Sequence, residues 1–102
     1  MSTKQKAISH KAYQMSKQAE RALQTYFYEE EDFPYLVLDS VEPEPGTSNL
    51  IVNVSMVSDP APELSVGTIL KELRNGEGRM RGIIAASISR KRTPGLRFRV
   101  LP

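Results

Sequence analysis

The sequence contains no cysteine, which excludes disulfide staples and thiolate metal sites at once. A reducing compartment agrees with that. No apolar run approaches the roughly 18 residues of a membrane span. The opening MSTKQKAISHK is polar where a signal peptide would carry its apolar core. Together these absences point to a soluble cytoplasmic protein. Catalytic material is equally scarce. His10 is the only histidine and falls in the polar opening of a predicted helix, where it reads as a surface residue rather than a general base. The acidic run Glu29-Glu30-Glu31-Asp32 has no histidine beside it and no Asp-x-Asp spacing, so it does not read as a metal site. The expectation is a protein that is not an enzyme and has no cofactor.

What is present is a chain of 102 residues, the size of one domain with a modest core of its own, taken here as a single domain over 1–102. Its formal net charge is only +2, but the charge is divided. Residues 1–70 hold 5 Lys/Arg and 10 Asp/Glu, whereas residues 71–102 hold 9 Lys/Arg and 2 Asp/Glu. An asymmetry of this kind is a hint of a polyanion-binding face, and equally what a chain shows when basic residues merely solvate one end.

Apolar Ile8, Ala12, Met15, Ala19, Leu23, Tyr26 and Phe27 follow the spacing of an amphipathic helix, placed at about 7–30. Negative charge is disfavoured at a helix C-terminus, so the acidic run marks fraying there, and Pro34 stops any continuation. YLVLDSV (35–41) and NLIVNVSMV (49–57) read as strands, the second alternating Leu50, Val52, Val54 and Met56 onto one face. EPEPGTSN between them is too short for a crossover, so the two should pair antiparallel. After the breaker-rich loop 58–64, helical spacing returns with Val66, Ile69, Leu70 and Leu73. It is interrupted at Asn75-Gly76-Glu77-Gly78, and resumes with Met80, Ile83, Ile84 and Ile88 until Thr93-Pro94-Gly95. LRFRVL (96–101) alternates as a third strand, with Phe98 inward and Arg97 and Arg99 outward. These arginines either extend the basic surface or guard an exposed sheet against pairing.

The order α-β-β-α-α-β predicts an α+β two-layer sandwich, with helices covering one face of a three-stranded sheet. The long helical connection suggests that the third strand lies beside the first. The arrangement is type II KH-like.

The interruption in the helical run, RNGEGRMRG (74–82), has a structural and a functional reading. In the structural one Gly76 is a left-handed helix cap and Glu77 sits at the start of the next helix, where its charge is favoured. In the functional one glycines let a nucleic-acid backbone approach, as in the KH loop. Gly76-Glu77-Gly78 is not that loop's Gly-x-x-Gly, and Glu77 would repel a phosphate seated on it, which argues against a standard KH clamp. The helix that follows carries one apolar face and, opposite it, a nearly bare face of Gly82, Ala85, Ala86 and Ser89. Arg79 and Arg81 stand at one end of it and Arg90-Lys91-Arg92 at the other. A bare face admits either a packed helix or a sugar-phosphate backbone, and arginine forks match phosphate oxygens. The candidate RNA-binding residues are therefore Arg74, Arg79, Arg81, Arg90, Lys91 and Arg92, with Gly76, Glu77 and Gly78 forming the kink. Part of the 90–92 cluster also suits a helix C-terminus.

Residues 73–98, LRNGEGRMRGIIAASISRKRTPGLRF, resemble the C-terminal segment of the ribosome-binding factor A family. There a leucine-bearing helix breaks at an Ala-x-Gly kink. A second helix with an apolar and arginine pattern follows, then a basic cluster, Pro-x-Leu and an aromatic strand. Gly76-Glu77-Gly78 occupies the kink, with Gly76 where the family usually has alanine. Arg81 matches the arginine after the kink, and Pro94, Leu96 and Phe98 match the terminal signature. NLIVNVSMV resembles the family's second strand and 7–30 its long first helix. The resemblance implies a non-catalytic factor of 30S subunit biogenesis. Such a factor binds the small ribosomal subunit through 16S rRNA, assists late maturation and rRNA processing at its 5′ end, and is in many cases needed for growth in the cold. It implies a monomer without membrane association. The alternatives are a general nucleic-acid-binding KH-like domain, or a protein–protein adaptor using the acidic half. A single-strand binder would place stacking aromatics near its basic patch, and Phe98 is the only aromatic there.

Overall fold

The structure is a computed structural model that describes residues 9–29, 33–56, 65–88 and 92–101. The chain before Ser9, the acidic residues Glu30, Glu31 and Asp32, the loop 58–64, and Ser89, Arg90 and Lys91 lie outside the described residues.

Helix α1 runs His10–Glu29. Ser9 starts it, its hydroxyl oxygen accepting from the Ala12 N–H at 3.0 Å, as an N-cap does. Of the predicted stripe, Ala19, Leu23, Tyr26 and Phe27 face inward, joined by Ser16, while Ala12 and Met15 are half-buried and Ile8 lies outside the described residues. The Ser16 hydroxyl is satisfied within the helix by the Tyr13 carbonyl at 2.7 Å. Two further tyrosines of this helix, Tyr13 and Tyr28, are exposed.

Strands β1 (Leu36–Pro43) and β2 (Leu50–Met56) pair antiparallel, as expected. A register shift between Leu38 and Ser40 accommodates Asp39 as an extra residue. Strict alternation from Leu36 would turn Val41 to solvent; the bulge instead points it into the core, where it is 2% exposed. The connecting loop closes on Glu44 and Asn49, whose main chains bond at 3.0 Å, and Gly46 takes the turn at φ 78°, a conformation that disfavours side chains.

Strand β3 (Leu96–Leu101) lies beside β2 and parallel to it, giving the order β1-β2-β3. This corrects the expectation that β3 would flank β1. The outer edge of β1 is already used: Val41 N–H donates to Glu20 Oε1 of α1 at 3.0 Å. The helical connection therefore brings β3 to the free edge of β2, as a crossover between parallel strands does. As the middle strand, β2 is buried on both faces, from Leu50 through Val54, rather than alternating. On the helix-free face Asn53 donates to Ser40 Oγ and Glu42 Oε2.

Helices α2 (Val66–Asn75) and α3 (Glu77–Ser87) complete the layer over the sheet. Ser65 caps α2 by accepting from the Thr68 N–H at 3.2 Å. Ile69, Leu73, Met80 and Ile84 are fully buried against Leu23, Leu50, Val52 and Val54. Val66, read as part of that stripe, is half exposed at the first turn. The result is the α+β two-layer sandwich with an α-β-β-α-α-β order that the sequence predicts.

Candidate nucleic-acid interface

The corner between α2 and α3 is a bend without a reversed residue. Gly76 has φ −91° and ψ 0°, so it is not the left-handed cap expected. Its N–H is shared between the Glu72 and Leu73 carbonyls at 3.1 Å each, and its own carbonyl accepts from Met80 N–H at 3.1 Å. The hydrogen-bond ladder thus passes through the corner, and no left-handed residue is needed to end one helix before the next begins. A Cβ at Gly76 would meet Met80 Cε at 3.5 Å and Phe33 Cζ at 3.6 Å, ordinary contact distances.

Glu77 opens α3, as predicted, where the helix dipole favours a carboxylate. Its side chain does more than that, because Oε2 accepts from the Leu96 N–H at 3.2 Å. One turn later Arg81 reaches the same segment. Its Nε donates to the Pro94 carbonyl at 3.1 Å and its Nη2 to the Thr93 carbonyl at 3.0 Å. An acceptor and a donor spaced i, i+4 on α3 therefore hold the approach to β3. Glu77 is committed to this tether, and Arg81 has spent two of its five N–H donors on it.

The remaining candidates fall into separate recesses. Arg74 faces β3, sharing a recess of about 170 Å³ with Glu77, Leu96, Arg97 and Phe98. Arg79 lies with Tyr26, Phe33, Glu72 and Asn75 around about 360 Å³ at the outside of the corner. There the Tyr35 hydroxyl donates to Glu72 Oε1 at 2.6 Å. Burial, then that hydrogen bond and the adjacent carboxylate charge, push the Tyr35 hydroxyl up to about 12. Arg81 and Arg92 come together, lining one cleft with the β1–β2 loop. Arg90 and Lys91 lie outside the described residues. Between these groups, of the face predicted to be bare, Gly82, Ala85 and Ala86 are exposed and Ser89 lies outside the described residues; a Cβ at Gly82 would meet nothing within 4 Å.

Two features have no signal in the sequence: the partner of Arg97 and the polar lining of one cleft. Arg97, left open between binding and edge protection, forms an ion pair with Glu44 Oε2 at 3.1 Å across the end of the sheet. Thr47, Ser48 and Asn49 line the cleft of Arg81 and Arg92, although their stretch reads only as a strand connection.

These features define the class: a type II KH-like sandwich whose exposed arginines surround a kinked helix pair rather than a Gly-x-x-Gly loop. No protein-family model and no curated protein sequence matches the chain significantly. Solved structures do match. The crystal structure of ribosome-binding factor A from Thermus thermophilus is 22% identical, with a TM-score of 0.67 over 85% of this chain and 91% of that one. A solution NMR structure of a Thermotoga maritima protein, provisionally assigned as a ribosome-binding factor A, is 21% identical, with a TM-score of 0.58 over 84% and 78%. At such identities the likeness establishes the fold, which is the ribosome-binding factor A fold along most of the chain.

Proposed function

We propose that this protein is a non-catalytic assembly factor of the small ribosomal subunit that binds 16S rRNA during late 30S maturation. The observation that carries the reading is the exposed, side-chain-poor face of α3 flanked by arginines, on a fold shared with two solved ribosome-binding factor A structures. A bare helix face lets a sugar-phosphate backbone come close, and guanidinium forks on either side bond phosphate oxygens. Binding of this kind acts by differential affinity. A factor that holds one rRNA conformation more tightly than its competitors shifts the population toward it, and no reacting group is required. Arg74 and Arg79 supply charge at the corner, and Arg92 supplies it beyond the far end of α3. Assistance to 5′-end processing, action as a monomer and a cytoplasmic location follow from the same reading.

The test is co-sedimentation of the purified protein with separated small and large subunits at low salt. Retention on small subunits, weak or absent on large ones, is the expected result. Equal retention on both would reduce the protein to a general RNA binder. Retention on neither would favour the adaptor that uses the acidic half.

A further inference from the structure

The cleft shared by Arg81 and Arg92 has a shape and chemistry that the binding face of α3 lacks. It lies between the β1–β2 loop, the first turns of α1 and the turn into β3, with a cavity volume of about 740 Å³. Its lining combines apolar Met15 and Pro43 with Ser48, Asn49, Arg81 and Arg92. No carboxylate lines it among the described residues. The nearest acidic residue of the loop, Glu44, is turned to other partners: its carboxylate accepts from Thr47 Oγ1 and Asn49 Nδ2 and pairs with Arg97.

We infer that this cleft is a nucleotide socket, taking one phosphodiester of a single-stranded RNA segment on Arg81 and Arg92 and resting the adjoining nucleoside on Met15 and Pro43. The inference rests on the RNA-binding reading above and locates a subsite within it. Arg81 is the anchor. The Pro94 and Thr93 carbonyls fix its guanidinium, which leaves three N–H donors unspent. A guanidinium already held in place loses little further freedom when it binds a phosphate. The room available is that of a small-molecule pocket rather than of a lone phosphate ion, and the apolar lining gives a nucleoside something to cover. Ser48 and Asn49 add polar groups at the rim, where a ribose would lie.

The experiment is a ¹H–¹⁵N NMR titration of the full chain with a uridine octamer at low salt, with inorganic phosphate as a parallel arm. The octamer should shift the amides of Ser48, Asn49 and Gly95 and the Arg81 Nε–H resonance, and phosphate at equal concentration should not. Ser48→Glu places a carboxylate in the cleft without touching the Arg81 tethers, and should weaken octamer binding about tenfold through like-charge repulsion. Arg92→Gln, a second variant on an exposed site, should flatten the salt dependence by about one phosphate contact. Shifts confined to Gly82, Ala85 and Ala86, with both variants binding like wild type, would overturn the socket and leave the RNA-binding reading standing. Equal shifts from inorganic phosphate would overturn the nucleotide assignment. Failure of the octamer to bind would also overturn the socket, while sedimentation with small subunits would judge the wider reading separately.

Discussion

The acidic and basic parts of this chain use charge in opposite ways. Carboxylates act largely as internal acceptors. Glu20 takes the Val41 N–H at the edge of the sheet, Glu42 takes the Asn53 amide, and Glu44 gathers Thr47, Asn49 and Arg97. The two acidic residues of the basic part do the same: Glu72 accepts from Tyr35 and Glu77 from the Leu96 N–H. Arginines mostly look outward, with Arg74, Arg79 and Arg92 all exposed. Arg81 and Arg97 are exposed too, but one tethers β3 and the other pairs with Glu44. A split in net charge therefore does not describe two equivalent surfaces. Removing acidic groups should loosen the fold, whereas removing exposed arginines should leave it intact.

The sharpest test of that contrast within the fold is Glu77→Ala. It strips the half-buried Leu96 N–H of its acceptor and α3 of its first-turn charge, and should cost about 2 kcal/mol in denaturant unfolding. Arg74→Ala, one turn away and exposed, should stay within about 0.5 kcal/mol of wild type. Equal losses from both would erase the distinction. Glu20→Ala should be milder, about 1 kcal/mol, because removing the carboxylate lets water reach the Val41 N–H in its place at the outer edge of β1; hydrogen exchange at Val41 should speed up with it. At the corner, Gly76→Ala should be neutral or stabilise by about 0.5 kcal/mol, since its backbone conformation suits alanine and a Cβ has room. A loss above about 1 kcal/mol there would show that the bend needs glycine after all.

The effect at Tyr35 is one of pH. Burial, then the Glu72 hydrogen bond and charge, push its hydroxyl from the ordinary 10 up to about 12, so the folded state favours the protonated form. The contribution is full below pH 10 and fades as pH rises toward 12. Wild type should therefore lose stability over that window more steeply than Tyr35→Phe. Parallel pH profiles would remove the Glu72 hydrogen bond from the account.

Much of the fold was legible because periodicity survives in a short chain. The α1 stripe, the antiparallel hairpin, the kinked helix pair and the LRFRVL strand all follow from apolar spacing and breakers, although α1 begins at His10 rather than 7 and α3 ends at Ser87, before the expected stop at Thr93. What failed depended on tertiary context. The neighbour of β3 is decided by which sheet edge α1 leaves open, and a Glu20–Val41 bond across 21 residues has no local signature. Burial of Ile51 and Asn53 follows from the central place of β2, not from the strand's own pattern. At the site, the bare face of α3 was visible as spacing, but the tether was not. Glu77 and Arg81 read as helix-start charge and phosphate ligand because Thr93, Pro94 and Leu96 offer only backbone groups, which look alike in any sequence.

The central claim is that exposed arginines flanking α3 bind a polyanion that the fold itself does not need. The most direct measurement is the salt dependence of binding to small ribosomal subunits for wild type and for an Arg74→Glu, Arg92→Glu double variant of matched thermal stability. The account predicts affinity falling linearly with the logarithm of salt in wild type, and in the double variant a loss of about a hundredfold with a slope flatter by about two. Unchanged affinity and slope in a stably folded double variant would contradict it.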